Sequence, residues 1–164
     1  MALSLKFFSE FKKISVLGCG RWGSFIAWYL AFKKGKQVFS WGPAGDYSYE
    51  ILKASGKNEY VALDPSITLT CDLAAALAHA EVIVISISSQ GLRGFIRTIR
   101  QTGDVSDKIF VLCMKGIEIE SGKRLSEVLI EEGIAADRIA VWVGPGHIQD
   151  FTAGIPNCMV IDSH

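Results

Sequence analysis

The chain has 164 residues, enough for one ordinary domain with a substantial core. Apolar residues make up 49% of it and charged residues 21%, with 17 Lys and Arg against 17 Asp and Glu. That balance gives no electrostatic case for nucleic acid or an anionic membrane as partner, and no stretch approaches the ~18 consecutive apolar residues of a membrane span.

The first residues, MALSLKFFSEFKK, carry charges inside their apolar stretch and lack a small-residue cleavage site, so they do not read as a signal peptide. An apolar strand over 14–17 then runs into Gly18-Cys19-Gly20-Arg21-Trp22-Gly23. Residues 24–34 place Phe25, Ile26, Tyr29, Leu30 and Phe32 at helical spacing and stop at Gly35. A second strand over 37–41 ends at the breaker pair Gly42-Pro43. A short helix over 47–54 and a third strand over 67–70 follow. Asp72 is placed to cap LAAALAHA, whose alanines and leucines favour helix. EVIVISIS is continuously apolar from Val82 to Ile85, as in a parallel strand covered on both faces. A helix over 90–100, a fifth strand over 108–114, a helix over 123–132 and a sixth strand over 139–143 complete the pattern. The chain is expected to end just past that sixth strand, with no further helix to cap it. Alternation of this kind predicts an α/β fold: a single domain over 1–164 with a doubly wound, mostly parallel sheet, Rossmann-like.

The four cysteines, Cys19, Cys71, Cys113 and Cys158, lie far apart with no CxxC pair. Such spacing argues against zinc and against a disulfide framework, so no metal is expected, and it suits a reducing cytoplasm.

A lone G-x-G-x-x-G is a weak signal, but this one directly follows the first strand and opens the first helix. There Gly18 permits the tight turn, Gly20 lets a pyrophosphate approach the backbone, and Gly23 brings helix and strand close. The helix N-terminus offers free N–H groups and partial positive charge to the phosphates. Cys19 reads as a small packed residue rather than a nucleophile. An acidic residue near the end of the second strand would hold the adenosine ribose, yet VFSWGPAGD has none before Asp46. No Arg or Lys stands at that strand end to meet a 2′-phosphate, so NAD or NADP stays open as cofactor.

Four ordered segments resemble one family. GCGRWGSFIAWYLA is similar to its G-x-G-x-W-G-[ST] start, and CDLAAALAHAEVIVISISSQGLRGFI to a segment that ends V-P-S-Q-x-L-R. LCMKGIE is similar to its [ST]-K-G-[IL]-E, and VGPGHIQDFTAGIPN to its G-P-[ST]-x-A-x-E-x-x-x-G-x-P-T. Together they resemble the N-terminal half of NAD(P)-dependent glycerol-3-phosphate dehydrogenase over roughly 14–157. The resemblance implies hydride transfer between a nicotinamide and a small phosphorylated substrate, glycerol 3-phosphate or dihydroxyacetone phosphate.

It also implies roles for single residues. Lys115 would contact both cofactor and substrate, and Gly144 and Gly146 would touch substrate. Ile148 would meet the cofactor through its backbone, and the small polar turn of Ser88, Ser89 and Gln90 would border it. Arg21 and Trp22, between the glycines Gly18, Gly20 and Gly23, would line the adenosine or pyrophosphate. Several positions depart from the family. Gly146 replaces a hydroxyl residue, with loss of a hydrogen bond worth ~1 kcal/mol net. The bulkier Ile148 replaces an alanine and is expected to narrow the nicotinamide site. Ser88 replaces a proline, which is expected to loosen the turn, and Pro43 stands where the family has an arginine. His147 falls at a variable motif position and is read as shaping its loop rather than as a base. Arg93, Arg97 and Arg100 recur at helical spacing as a solvated basic stripe, of which only Arg93 lies within a motif.

The family's proton-transferring lysine belongs to a C-terminal helical domain whose N-x-K-[AT] motif is not in this sequence. No catalytic residue is therefore expected within these 164 residues. The missing domain and, for the full-length enzyme, a second copy in a homodimer are the expected partners. The isolated chain is expected to bind dinucleotide weakly, to turn nothing over and to associate through a bared interface. Two other readings remain: another dehydrogenase of the same two-domain architecture, such as a ketopantoate reductase, or a non-catalytic nucleotide sensor.

Overall fold

The computed structural model describes residues 10–155 and 159–163. Most of the N-terminal MALSLKFFSEFKK stretch, Cys158 and the PN of GIPN therefore lie outside the described residues.

Seven strands form one sheet in the order β3-β2-β1-β4-β5-β6-β7. They are β1 (Lys13–Leu17), β2 (Gln37–Trp41), β3 (Thr68–Thr70), β4 (Val82–Ile85), β5 (Ile109–Leu112), β6 (Ile139–Val143) and β7 (Val160–Ser163). Every pairing is parallel except β6 with β7, where Val143 faces Val160 and Ala140 faces Ser163. Strands whose side chains alternate between two covered faces must be apolar throughout, and all four residues of β4 and of β5 are buried. Val82 and Val84 point to one face, where they pack with Ile14, Val16, Phe25 and Ile26. Ile83 and Ile85 point to the other, with Ile96, Ile99, Phe110 and Leu129. Two cores on opposite faces are the signature of a doubly wound sheet.

The helices are α1 (Arg21–Trp28), α2 (Tyr47–Ser55), α3 (Leu73–His79), α4 (Leu92–Thr102), α5 (Leu125–Glu131) and α6 (Ile148–Thr152). α1 begins at Arg21, three residues before the expected start at residue 24, and is followed by a π-helical segment, Tyr29–Lys33. Asp72 accepts from Ala75 N and caps α3, as its place before the alanine run predicts. Buried Ser15 donates to Ala76 O at 2.7 Å and ties β1 to the same helix.

The expectation of an end just past the sixth strand is corrected: α6 and an antiparallel β7 follow β6. β7 is only four residues long, alternates in burial at the sheet edge and ends in the polar pair Asp162-Ser163, so its pattern is weaker than that of the buried strands. Among the described residues no helix is long and apolar enough to cross a membrane. None of their His, Cys, Asp or Glu side chains gather in threes as metal ligands would.

Candidate functional site: a cleft at the carboxyl ends of β1, β4, β5 and β6

Strand order reverses at β1, which has β2 on one side and β4 on the other. In open α/β sheets such a switch point leaves a crevice outside the carboxyl ends of the strands. An open cleft of about 600 Å³ lies there. Gly20, Arg21 and Trp22 border it from the β1–α1 turn, and Ser88 from the turn after β4. Lys115 comes from the loop after β5, Gly144 and Gly146 from the segment between β6 and α6, and Ile148 from the first residue of α6. Of the residues singled out in the sequence, Gly18 and Gly23 do not line the cleft; they shape the wall behind it.

The three glycines of the first turn differ in what surrounds them. At Gly18 (φ +108°) the backbone takes a conformation L-residues rarely adopt, and a Cβ would overlap the carbonyl of Ser86. A Cβ on Gly23 would overlap the carbonyl oxygen of Gly18. Both are demanded by the protein's own backbone. Gly20 is not: a Cβ there would meet nothing nearer than Ser48 Oγ at 4.0 Å, and its φ of −67° suits any residue. Gly20 is also the residue before α1, and no side chain caps that helix. The first-turn N–H groups thus have no side-chain cap, and Gly20, Arg21 and Trp22 border the cleft, an arrangement suited to an anion.

On the β2 side, Asp46 is engaged elsewhere. Its carboxylate accepts from Ser48 N and Tyr49 N at 2.9 and 3.2 Å and caps α2, while Glu50 accepts from Gly45 N. Cys19 packs beneath with Tyr49 and Leu52, and burial pushes its thiol up to about 11, which suits a packing role. Cys113 donates to Ile85 O from a buried position, and burial pushes its thiol up to about 12.

Ser88 keeps the backbone shape of the turn. Its φ of −61° is the value a proline would impose, and Gly91 N closes the turn onto Ser88 O at 3.1 Å. Gln90 then reaches across to the β5 loop, donating to Ile117 O and accepting from Ile119 N, both at 2.9 Å. The arginines that follow are not a solvated stripe. Arg93 makes a bidentate pair with Glu118 at 2.9 and 2.7 Å and also meets Glu131 and Glu132. Arg97 forks onto Glu132, and Arg100 donates to Glu132 O. The Arg93 guanidinium, with help from Ser121, holds the Glu118 carboxyl at about 2, and Arg97 with Arg93 holds Glu132 at about 2. These contacts form an ionic seam between α4 and α5.

Lys115 is exposed and makes no ion pair or side-chain hydrogen bond to any described residue. Gly116 beside it has φ +106°, which accounts for glycine after the lysine. At Gly146 a Cβ would overlap the ring of Phe151 unless that ring shifted; it packs on Phe25 at 5.4 Å between centroids and on Trp22 at 6.4 Å. Phe151 therefore fills the space a hydroxyl residue would need. Ile148 is 2% exposed, its side chain turned into the core with Phe25 and Cys113. His147 is exposed at the start of α6 and makes no side-chain hydrogen bond among the described residues.

A parallel sheet wound 3-2-1-4-5-6, a glycine turn at the switch point and an uncapped helix N-terminus beneath an open cleft define a dinucleotide-binding domain of Rossmann type. The sequence comparisons make the family specific. A family model described as NAD-dependent glycerol-3-phosphate dehydrogenase N-terminus matches residues 13–164, and the chain belongs to that family. It is 37% identical over 155 residues to glycerol-3-phosphate dehydrogenase [NAD(P)+] of Pelodictyon phaeoclathratiforme, covering 92% of this chain and 46% of that protein. The enzyme of the same name from Moorella thermoacetica is 36% identical over 154 residues, with 92% and 44% covered. The crystal structure of glycerol-3-phosphate dehydrogenase from Coxiella burnetii superposes with a TM-score of 0.77 at 26% identity, covering 92% of this chain and 46% of that one. The chain thus spans about half the length of the relatives it matches.

Proposed function

We propose that these residues are the cofactor-binding domain of an enzyme that interconverts glycerol 3-phosphate and dihydroxyacetone phosphate with NAD or NADP. The observation that carries this reading is Gly20. It is the one glycine of the first turn that the protein's own packing does not require, and it stands before the uncapped N-terminus of α1. A diphosphate laid over that turn would accept hydrogen bonds from the first-turn N–H groups and gain from the helix dipole. When bound, the nicotinamide supplies or accepts the hydride.

The chain's own residues bind and orient. Arg21 stands at the rim with its guanidinium 4.9 Å from the centre of the Tyr60 ring, placed to meet the diphosphate from the side. Trp22 forms the inner wall, and Ser88 borders the cofactor from the β4 turn. Ile148 bounds the nicotinamide end, with only its backbone available to a ligand. Lys115 holds a positive charge over the cleft, where it steadies the phosphorylated substrate beside Gly144 and Gly146 and favours negative charge developing on its oxygen. The proton-transferring lysine comes, on this reading, from a helical domain outside these residues. The whole enzyme pairs as a homodimer and works in the cytoplasm. Asp46 caps α2 rather than a ribose, which supports a cofactor site with no acidic discrimination against the 2′-phosphate.

Titration with NADH tests this directly. Protein fluorescence should saturate with the wild-type chain, and Gly20→Val should abolish binding while leaving the melting temperature within a few degrees. These 164 residues alone should not oxidise NADH with dihydroxyacetone phosphate. Undiminished binding by Gly20→Val would refute the placement of the diphosphate.

A further inference from the structure

The loop that carries Lys115 is anchored in a way that sets it apart from the rest of the cleft. Across residues 115–122 the only buried residue is Glu118, 7% exposed, while its neighbours Ile117 and Ile119 are 52% and 79% exposed. A loop of this size ordinarily seats itself by burying an apolar side chain. Here the two isoleucines face outward and a carboxylate points in.

The partners of that carboxylate all lie on neighbouring elements. Arg93 of α4 meets both its oxygens, Ser121 donates from within the loop, and Arg93 is held in turn by Glu131 and Glu132 at the end of α5. Gln90, one turn before Arg93, grips the loop backbone on either side of Glu118 through Ile117 O and Ile119 N. The loop closes on itself by Glu118 N to Lys123 O and Gly122 N to Glu118 O. β4 and β5 are adjacent and in register, so the turn after one strand and the loop after the other meet side by side.

We propose that Arg93, Glu118 and Gln90 are positioning residues that hold the Lys115 ammonium over the cleft. This rests on the reading of Lys115 as a ligand-binding residue. A guanidinium fork on a carboxylate fixes distance and direction together, whereas an apolar contact leaves a short loop free to slide. None of the three residues lines the cleft. Their effect reaches the cleft through the two residues of backbone between Lys115 and Glu118, the Gly116 turn and Ile117.

The test uses the whole chain with Glu118→Gln, Lys115→Met and the double variant, read by amide hydrogen exchange and by NADH titration. In Glu118→Gln, exchange across 115–123 should quicken while β4 and β5 stay protected, and the NADH dissociation constant should rise about fivefold. Lys115→Met should weaken NADH to a similar degree, and the double variant should bind no worse than Lys115→Met alone. Unchanged loop exchange in Glu118→Gln, a uniform rise across the sheet, or fully additive losses in the double variant would overturn the proposal. Should Lys115→Met bind NADH as the wild type does, the role given to Lys115 falls, and loop exchange alone still decides whether Glu118 positions the segment. If Glu118→Gln does not fold, Arg93→Lys, which keeps the charge and loses the fork, carries the same readouts.

Discussion

Two walls of the same cleft are built on opposite principles. The turn after β1 is set by backbone against backbone: Gly18 lies against the carbonyl of Ser86 and Gly23 against the carbonyl oxygen of Gly18, and no ion pair joins it among the described residues. The loop after β5 has open space around Gly116 and Gly122 and is held by charge, through Glu118 and the arginine fork. A steric turn tolerates no added atom but is indifferent to pH. An ionic loop accepts small changes of shape and answers to whatever titrates its anchor.

The largest effect should come from the steric wall. Gly18→Ala and Gly23→Ala should each cost about 3–5 kcal/mol in chemical denaturation, because a Cβ must displace main chain. Stability losses under about 1 kcal/mol at both would show that this wall yields, and the contrast would fail.

A smaller loss is expected in the ionic wall. Gly116→Ala has room for its methyl group but must hold φ +106°, a strain worth roughly 1–2 kcal/mol. A loss as large as that of Gly18→Ala would mean that space, not conformation alone, restricts this loop as well.

The finest discrimination is by acid. Glu118 and Glu132 are held at about 2 by Arg93 and Arg97, with Glu131 and Lys123 completing the cluster. Folded-state values below the usual 4.5 mean that these groups stabilise the fold fully above that pH. The contribution is lost as pH falls from there through about 2. The difference in urea midpoint between wild type and Glu118→Gln should therefore shrink steadily as pH is lowered over that window. A gap that is the same at neutral pH and at pH values near 3 would show that the carboxylate's charge is not what anchors the loop.

The comparison also explains what could be read in advance. A steric requirement is local: the spacing of Gly18, Gly20 and Gly23 after an apolar strand already implies where the backbone must turn. The arginines at helical spacing carried no such information. A basic stripe on α4 is consistent with solvent until Glu118, Glu131 and Glu132, between 25 and 39 residues away, are seen to face it. One clue was present, since a motif arginine followed β4 and a motif glutamate followed β5, and consecutive strands are more often neighbours than not. Gly146 shows the same limit. Its departure from the family's hydroxyl reads as a lost hydrogen bond until Phe151 is found in the vacated volume.

From the residues alone came the alternation of strand and helix, the continuous apolar strands, the glycine turn and the set of segments that gather at one end of the sheet. Each of these depends on neighbours within a few positions, where periodicity and conformational preference act. Tertiary structure alone decided that Gly20, rather than Gly18 or Gly23, is left open to a ligand, that Asp46 caps a helix, and that β7 turns back antiparallel on the edge. It alone also decided that a buried carboxylate, not an isoleucine, seats the lysine loop. Those outcomes depend on which distant groups compete for the same space and the same hydrogen bonds, and only the folded chain brings them together.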